Sequence, residues 1–178
     1  KILLVSGDSF SDKDFQTHIH PELDTSWPKW PELLAKKLDM ECVNIAASGA
    51  GNDYIYEALL DTIQNIDKDR IGLVIAAWSQ CQRRSWQESK KLVWNNSRVD
   101  VKGDVFYWVK RTMRYWYSFQ VLCERYNLQY KQFQMISLFF GWLNGLFQND
   151  HEVHKNRLNP DPNFVERHIY PGDKKKDL

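Results

Sequence analysis

Lys1-Ile2-Leu3-Leu4-Val5-Ser6-Gly7-Asp8-Ser9 decides the fold. Residues 1–6 form a short, β-leaning and almost unbroken apolar run closed by Gly7. A strand with one wet face would alternate, so this one reads as buried on both faces. Two further runs behave alike: Cys42–Ala47, ended by Ser48-Gly49-Ala50-Gly51, and Ile71–Trp78, ended by Ser79-Gln80. Helical spacing separates them. After Thr25-Ser26-Trp27-Pro28, with its N-cap candidates and early proline, Trp30, Leu33, Leu34 and Leu38 mark one helix. After Asn52 or Asp53 as cap, Ile55, Leu59, Leu60, Ile63 and Ile66 mark a second. A long helix follows over Asp104–Arg125, and Leu128–Ile136 is a fourth strand. Strands alternating with helices require crossovers, which predicts an α/β chain with a mainly parallel sheet, helices on both faces and strand order 2-1-3-4.

Composition narrows the function. The 178 residues carry 24 Lys plus Arg against 23 Asp plus Glu, a net charge of +1, so the basic excess of a general nucleic-acid binder is missing and no nucleic-acid partner is expected. No apolar run reaches the roughly 18 residues of a membrane span; Ile136–Leu146 is broken by Ser137, Gly141, Asn144 and Gly145, and no membrane partner is expected. Cys42, Cys81 and Cys123 are odd in number and widely spaced, which fits a reducing compartment better than a disulfide framework or a zinc cluster. Asn95-Asn96-Ser97 matches a glycosylation sequon without a signal peptide and carries no weight.

Two segments break the alternation. Ser79–Gly103 is a polar excursion with Trp86 and Trp94, long enough to cover something. Asn149–Leu178 is charged, Pro-containing and aperiodic. The expected organisation is one α/β domain over 1–148 and a polar surface arm, or the start of an insertion, over 149–178.

In open parallel sheets ligands sit beyond the carboxyl ends of the strands. The three turns expected there are Gly7-Asp8-Ser9, Ser48-Gly49-Ala50-Gly51-Asn52-Asp53 and Ser79-Gln80. Serine supplies a hydroxyl that an adjacent base can activate, and glycine lets a backbone N–H approach a substrate closely. Short strand-to-helix turns favour Gly, Asp and Ser for their own geometry, so no one turn is diagnostic.

Lys1–Asp12, a strand ending in Gly-Asp-Ser, resembles the first block of the SGNH, or GDSL-type, hydrolase family. Val43-Asn44-Ile45-Ala46-Ala47-Ser48-Gly49 is similar to its second. The resemblance implies a flavodoxin-like three-layer sandwich and a serine esterase that needs no cofactor and no metal. It makes Ser9 the nucleophile, and Gly49 an oxyanion donor beside the Ser9 N–H. The implied substrate is a small acyl ester, carried by a sugar or another polar small molecule. The third block departs: laying Leu73–Cys81 over it puts Gln80 where the family has asparagine, keeping an amide donor one methylene longer. Should Gln80 turn into the core, Ser79 or Asn52 replaces it. The chain also resembles proteins encoded by large tailed phages; a reducing cytoplasm is the favoured location and association with a virion the alternative.

The family's late Asp-x-x-His does not occur; the histidines are His18, His20, His151, His154 and His168. Without a base a serine hydroxyl is a poor nucleophile. The favoured expectation is that the base lies on a segment beyond these residues. The alternative is a catalytically inactive binding or structural module; separately, His154 beside Asp150 or Asp161 would supply an internal base if the arm folds back. Asp150-His151-Glu152-x-His154 lacks metal-site spacing and reads as surface, as does His18-x-His20. Arg83, Arg84, Lys110, Arg111 and Arg114 interleave with Trp86, Tyr107 and Tyr115, either as a basic aromatic surface for an anionic polymer or sugar or as a solvated helix face.

Overall fold

A computed structural model describes residues 1–17, 20–88, 93–99 and 104–135. The arm expected over 149–178 lies outside the described residues, as do His18, His151, His154 and His168. The elements are β1 (Ile2–Ser6), α1 (Trp30–Lys37), β2 (Glu41–Asn44), α2 (Asn52–Asn65), β3 (Ile71–Trp78), β4 (Arg83–Glu88), β5 (Val93–Val99), α3 (Val105–Arg125) and β6 (Tyr130–Gln134). The main sheet has the order β2-β1-β3-β6 and every pairing in it is parallel. This is the expected 2-1-3-4 order.

All five residues of β1 are buried, as two covered faces demand. Alternation sorts its side chains between two layers. Leu3 and Val5 join Ile75 and Ala35 on the α1 side; Ile2 and Leu4 join Val74, Ala76 and Trp78 under α2 and α3. Helices thus cover both faces, giving the three layers of a flavodoxin-like sandwich. Among the described residues no helix is long and apolar enough to cross a membrane.

Several boundaries move. α1 starts at Trp30 with Lys29 as N-cap and Pro31 as its early proline, so Thr25-Ser26 and Pro28 are not its start signal. Pro31 and Ala35 face the core, while Leu33 and Leu38 are largely exposed. β2 ends at Asn44 and β6 at Gln134, each shorter than expected. The excursion over 79–103 contains an antiparallel hairpin, β4 and β5, that the sequence reading left unassigned. It packs on α2, where Trp94 meets the Tyr54 ring edge-on at 5.1 Å. Within the excursion, β4 and Trp94 thus cover part of α2.

Two helices stop by the same device. Asp39 (φ 54°) and Asn127 (φ 53°) follow α1 and α3 in the left-handed region. Behind them the Met40 N–H donates to Ala35 O at 2.9 Å and the Leu128 N–H to Cys123 O at 2.9 Å, the six-to-one bond of a Schellman stop. These turns deliver the chain straight into β2 and towards β6.

Candidate active site

Ser6, Asn44 and Trp78 end three parallel strands at the same edge, so the loops leaving them are neighbours. The first loop builds a turn around Ser9. Asp8 Oδ1 accepts the Phe10 N–H at 3.1 Å, and Asp8 O accepts the N–H groups of Ser11 (2.9 Å) and Asp12 (3.0 Å). An aspartate that bonds two residues ahead sets a tight bend, which places Ser9 at its apex. Phe10 is 60% exposed beside it. Gly7 must stay bare: an added Cβ would stand 2.7 Å from Ser11 Oγ and 3.1 Å from the Ala77 Cβ.

Asp8 is fully buried, and a buried carboxylate needs partners. Its Oδ2 accepts from Ser79 Oγ at 2.8 Å and from Arg83 Nη1 at 3.2 Å. Arg83 Nη1 also donates to Ser79 Oγ at 3.0 Å, so loops one and three and the start of β4 are locked together. Loop two is tied in twice. Asp12 Oδ2 accepts the Ser48 N–H (2.8 Å) and hydroxyl (2.6 Å), fixing the residue before Gly49. Asn52 takes both backbone groups of Ser79 and gives its second amide proton to Thr112 Oγ1 at 3.1 Å.

Asn52 and Asp53 were expected to cap α2, yet Gly51 holds the cap position. Their side chains reach outward in sequence instead. Asp53 Oδ1 accepts the Ser85 N–H at 2.9 Å, while Ser85 Oγ accepts the Gly51 N–H at 2.9 Å, anchoring β4 on the start of α2. Burial pushes the Asp53 carboxyl above its ordinary range, against the pull of those bonds and of Arg111.

The expected site residues occupy the three neighbouring loops. Gly49 has φ 75°, a conformation costly for any residue with a Cβ. Gln80 is half-buried, and its Oε1 accepts from Gln82 Nε2 at 3.0 Å, which leaves the amide nitrogen as its free end. Among the described residues the N–H groups of Ser9 and Gly49, the Ser9 hydroxyl and the Gln80 amide nitrogen take no hydrogen-bond partner. The two substitutes for Gln80 are spent: Ser79 gives its proton to Asp8, and Asn52 has committed both amide protons.

His20, the one histidine among the described residues, is exposed and sits 3.3 Å from Glu22. Lys13, Phe15, Leu23, Asp24 and Ser26, among others, line an open depression of about 550 Å³. Among the described residues no cluster of His, Cys, Asp and Glu could hold a metal ion. Burial raises the thiols of Cys81 and Cys123 to about 12 and of Cys42 to about 11, which makes them inert packing residues.

The basic aromatic surface is not assembled as one face. Arg83 turns inward to Asp8, and Arg111 donates to the carbonyls of Cys81 (3.1 Å) and Arg83 (2.9 Å). Trp78 and Trp108 are each 1% exposed and belong to the core. Arg83 is the site residue that sequence reasoning missed as such. The signal that could have found it is the Asp of Gly-Asp-Ser itself, because an aspartate closing a buried strand must meet a cation or several donors. No family model, curated protein or solved structure matches the chain.

Proposed function

We propose that this chain is a serine ester hydrolase of the SGNH type that removes a small acyl group from a sugar or other polar substrate. Ser9 attacks the ester carbonyl. The Ser9 and Gly49 N–H groups and the Gln80 amide receive the oxyanion, the term that contributes most in acyl transfer. One observation carries this reading: of the donors gathered at the sheet edge, Asn52 and Ser79 are spent, while Ser9, Gly49 and Gln80 keep unspent protons on three adjoining loops. The base that activates Ser9 comes from outside the described residues.

Reacting the full-length protein with a fluorophosphonate, and locating the adduct by mass spectrometry, tests the assignment. The label is expected on Ser9, together with hydrolysis of 4-nitrophenyl acetate that disappears in Ser9→Ala. Turnover unchanged in that variant overturns it. The exposure of His20 and its pairing with Glu22 favour a second reading, a binding module on the same fold that is not an enzyme. An ester ligand that binds beside Gly49 without any Ser9 adduct or turnover selects that reading.

A further inference from the structure

Arg83 is fixed at both ends at the edge where the three loops meet. Its N–H donates to Gln80 O at 3.2 Å, its carbonyl accepts from Arg111 at 2.9 Å, and its Nη1 is held by Asp8 and Ser79. Those side-chain bonds use Nη1 alone. Among the described residues the Nε and Nη2 donors take no partner, and the side chain is 23% exposed. Asp8 offsets the charge at Nη1, so what Arg83 offers a ligand is the donor edge formed by Nε and Nη2.

The place matters as much as the charge. Nη1 lies 3.2 Å from Asp8 Oδ2, and Asp8 precedes Ser9 directly. With adjacent Cα atoms about 3.8 Å apart, the guanidinium is within about 10 Å of the Ser9 Cα. That is the reach of a short acyl chain. A guanidinium edge presenting two N–H groups binds a planar oxyanion bidentately, and with Asp8 already offsetting one charge a carboxylate monoanion is favoured over a phosphate dianion.

Resting on the ester-hydrolase reading, we infer that Arg83 selects substrates carrying a carboxylate a few bonds from the scissile ester. Full-length wild-type protein labelled with ¹⁵N is titrated at low salt with monomethyl succinate, dimethyl succinate and inorganic phosphate, following the Arg83 Nε–H and Gly49 N–H resonances. Monomethyl succinate is expected to bind at least about tenfold tighter than its neutral diester and to shift both resonances. The preference should collapse in Arg83→Gln, persist in part in Arg83→Lys and remain whole in Arg84→Gln. The wild-type comparison stands even if the glutamine variant fails to fold. Equal affinities, no binding of either ester at millimolar concentration, tighter binding of phosphate, or a shift at Arg83 without one at Gly49 overturns the inference. Fluorophosphonate labelling of the same samples separates the two claims: Ser9 labelled with a ratio of one removes the selectivity alone, and the tenfold ratio without a label removes the hydrolase reading alone.

Discussion

Asn52 holds Ser79 by both of its backbone groups: Asn52 Oδ1 accepts the Ser79 N–H at 2.8 Å and Asn52 Nδ2 donates to Ser79 O at 3.1 Å. The two residues are 27 positions apart and both are buried. A side-chain amide here replaces a missing strand neighbour where β3 ends, and it joins the second loop to the third.

Asn52→Ala is therefore expected to cost about 2–4 kcal/mol, since it leaves two buried backbone groups and Thr112 without partners. Asn52→Asp should be nearly as costly, because a carboxylate cannot donate to Ser79 O. Urea denaturation measures both. A loss under about 0.5 kcal/mol, the range of an ordinary surface change, would show that the clamp is not holding the loops.

Gln80 tests the oxyanion assignment separately from folding. Gln80→Ala should lower kcat by about 10²–10³ with little change in KM, as expected when a donor acts only on the developing charge. Steady-state kinetics on a short-chain ester, run with the full-length protein, gives the split. A rise in KM at constant kcat would make Gln80 a ground-state contact instead.

Asp53 gives a pH dependence of known sign. Its carboxyl is raised in the folded state, chiefly by burial, so its stabilising contribution is complete below the unfolded value and is lost as pH rises through the folded one. Glu57, one turn along α2, is raised as well, by burial and then by the charges of Asp53 and Asp61. Asp53→Asn keeps an acceptor for the Ser85 N–H and removes the charge. Its stability relative to wild type should grow between pH 3.5 and pH 7. A difference that shrinks over that interval would mean that Arg111 outweighs burial.

Asp39 occupies a left-handed position at the end of α1, where it also places a negative charge at the negative end of the helix dipole. Asp39→Gly should therefore stabilise the chain by about 0.5–1 kcal/mol in thermal or urea unfolding. Any destabilisation would reveal a contact of this exposed carboxylate that outweighs both costs.

Much of the frame was legible in the chain itself. The runs 1–6 and 71–78 have no polar interruption, and only a strand covered on both faces tolerates that. With helical spacing between the runs, a parallel sheet was forced, and the expected order 2-1-3-4 is the one observed. Gly7-Asp8-Ser9, Gly49 and Gln80 were likewise readable as the tips of loops leaving one sheet edge. The hairpin was not, because Arg83–Glu88 carries neither alternation nor a continuous apolar run and is held by polar bonds to α2.

Sequence alone showed that β1 and β3 are covered, since hydrophobic period is a local property that any short window displays; β2, read alike, is an edge strand with no buried residue, because strand position in the sheet is not local. Tertiary structure alone decided which polar side chains do which work. Asn52 and Asp53 look like caps from their neighbours, yet bond to residues 27 and 32 positions away; Asp8 looks like part of a turn, yet meets Arg83 across 75. Buried hydrogen-bonding groups take whatever partner the fold brings within about 3 Å, and that pairing is written in no window of the chain.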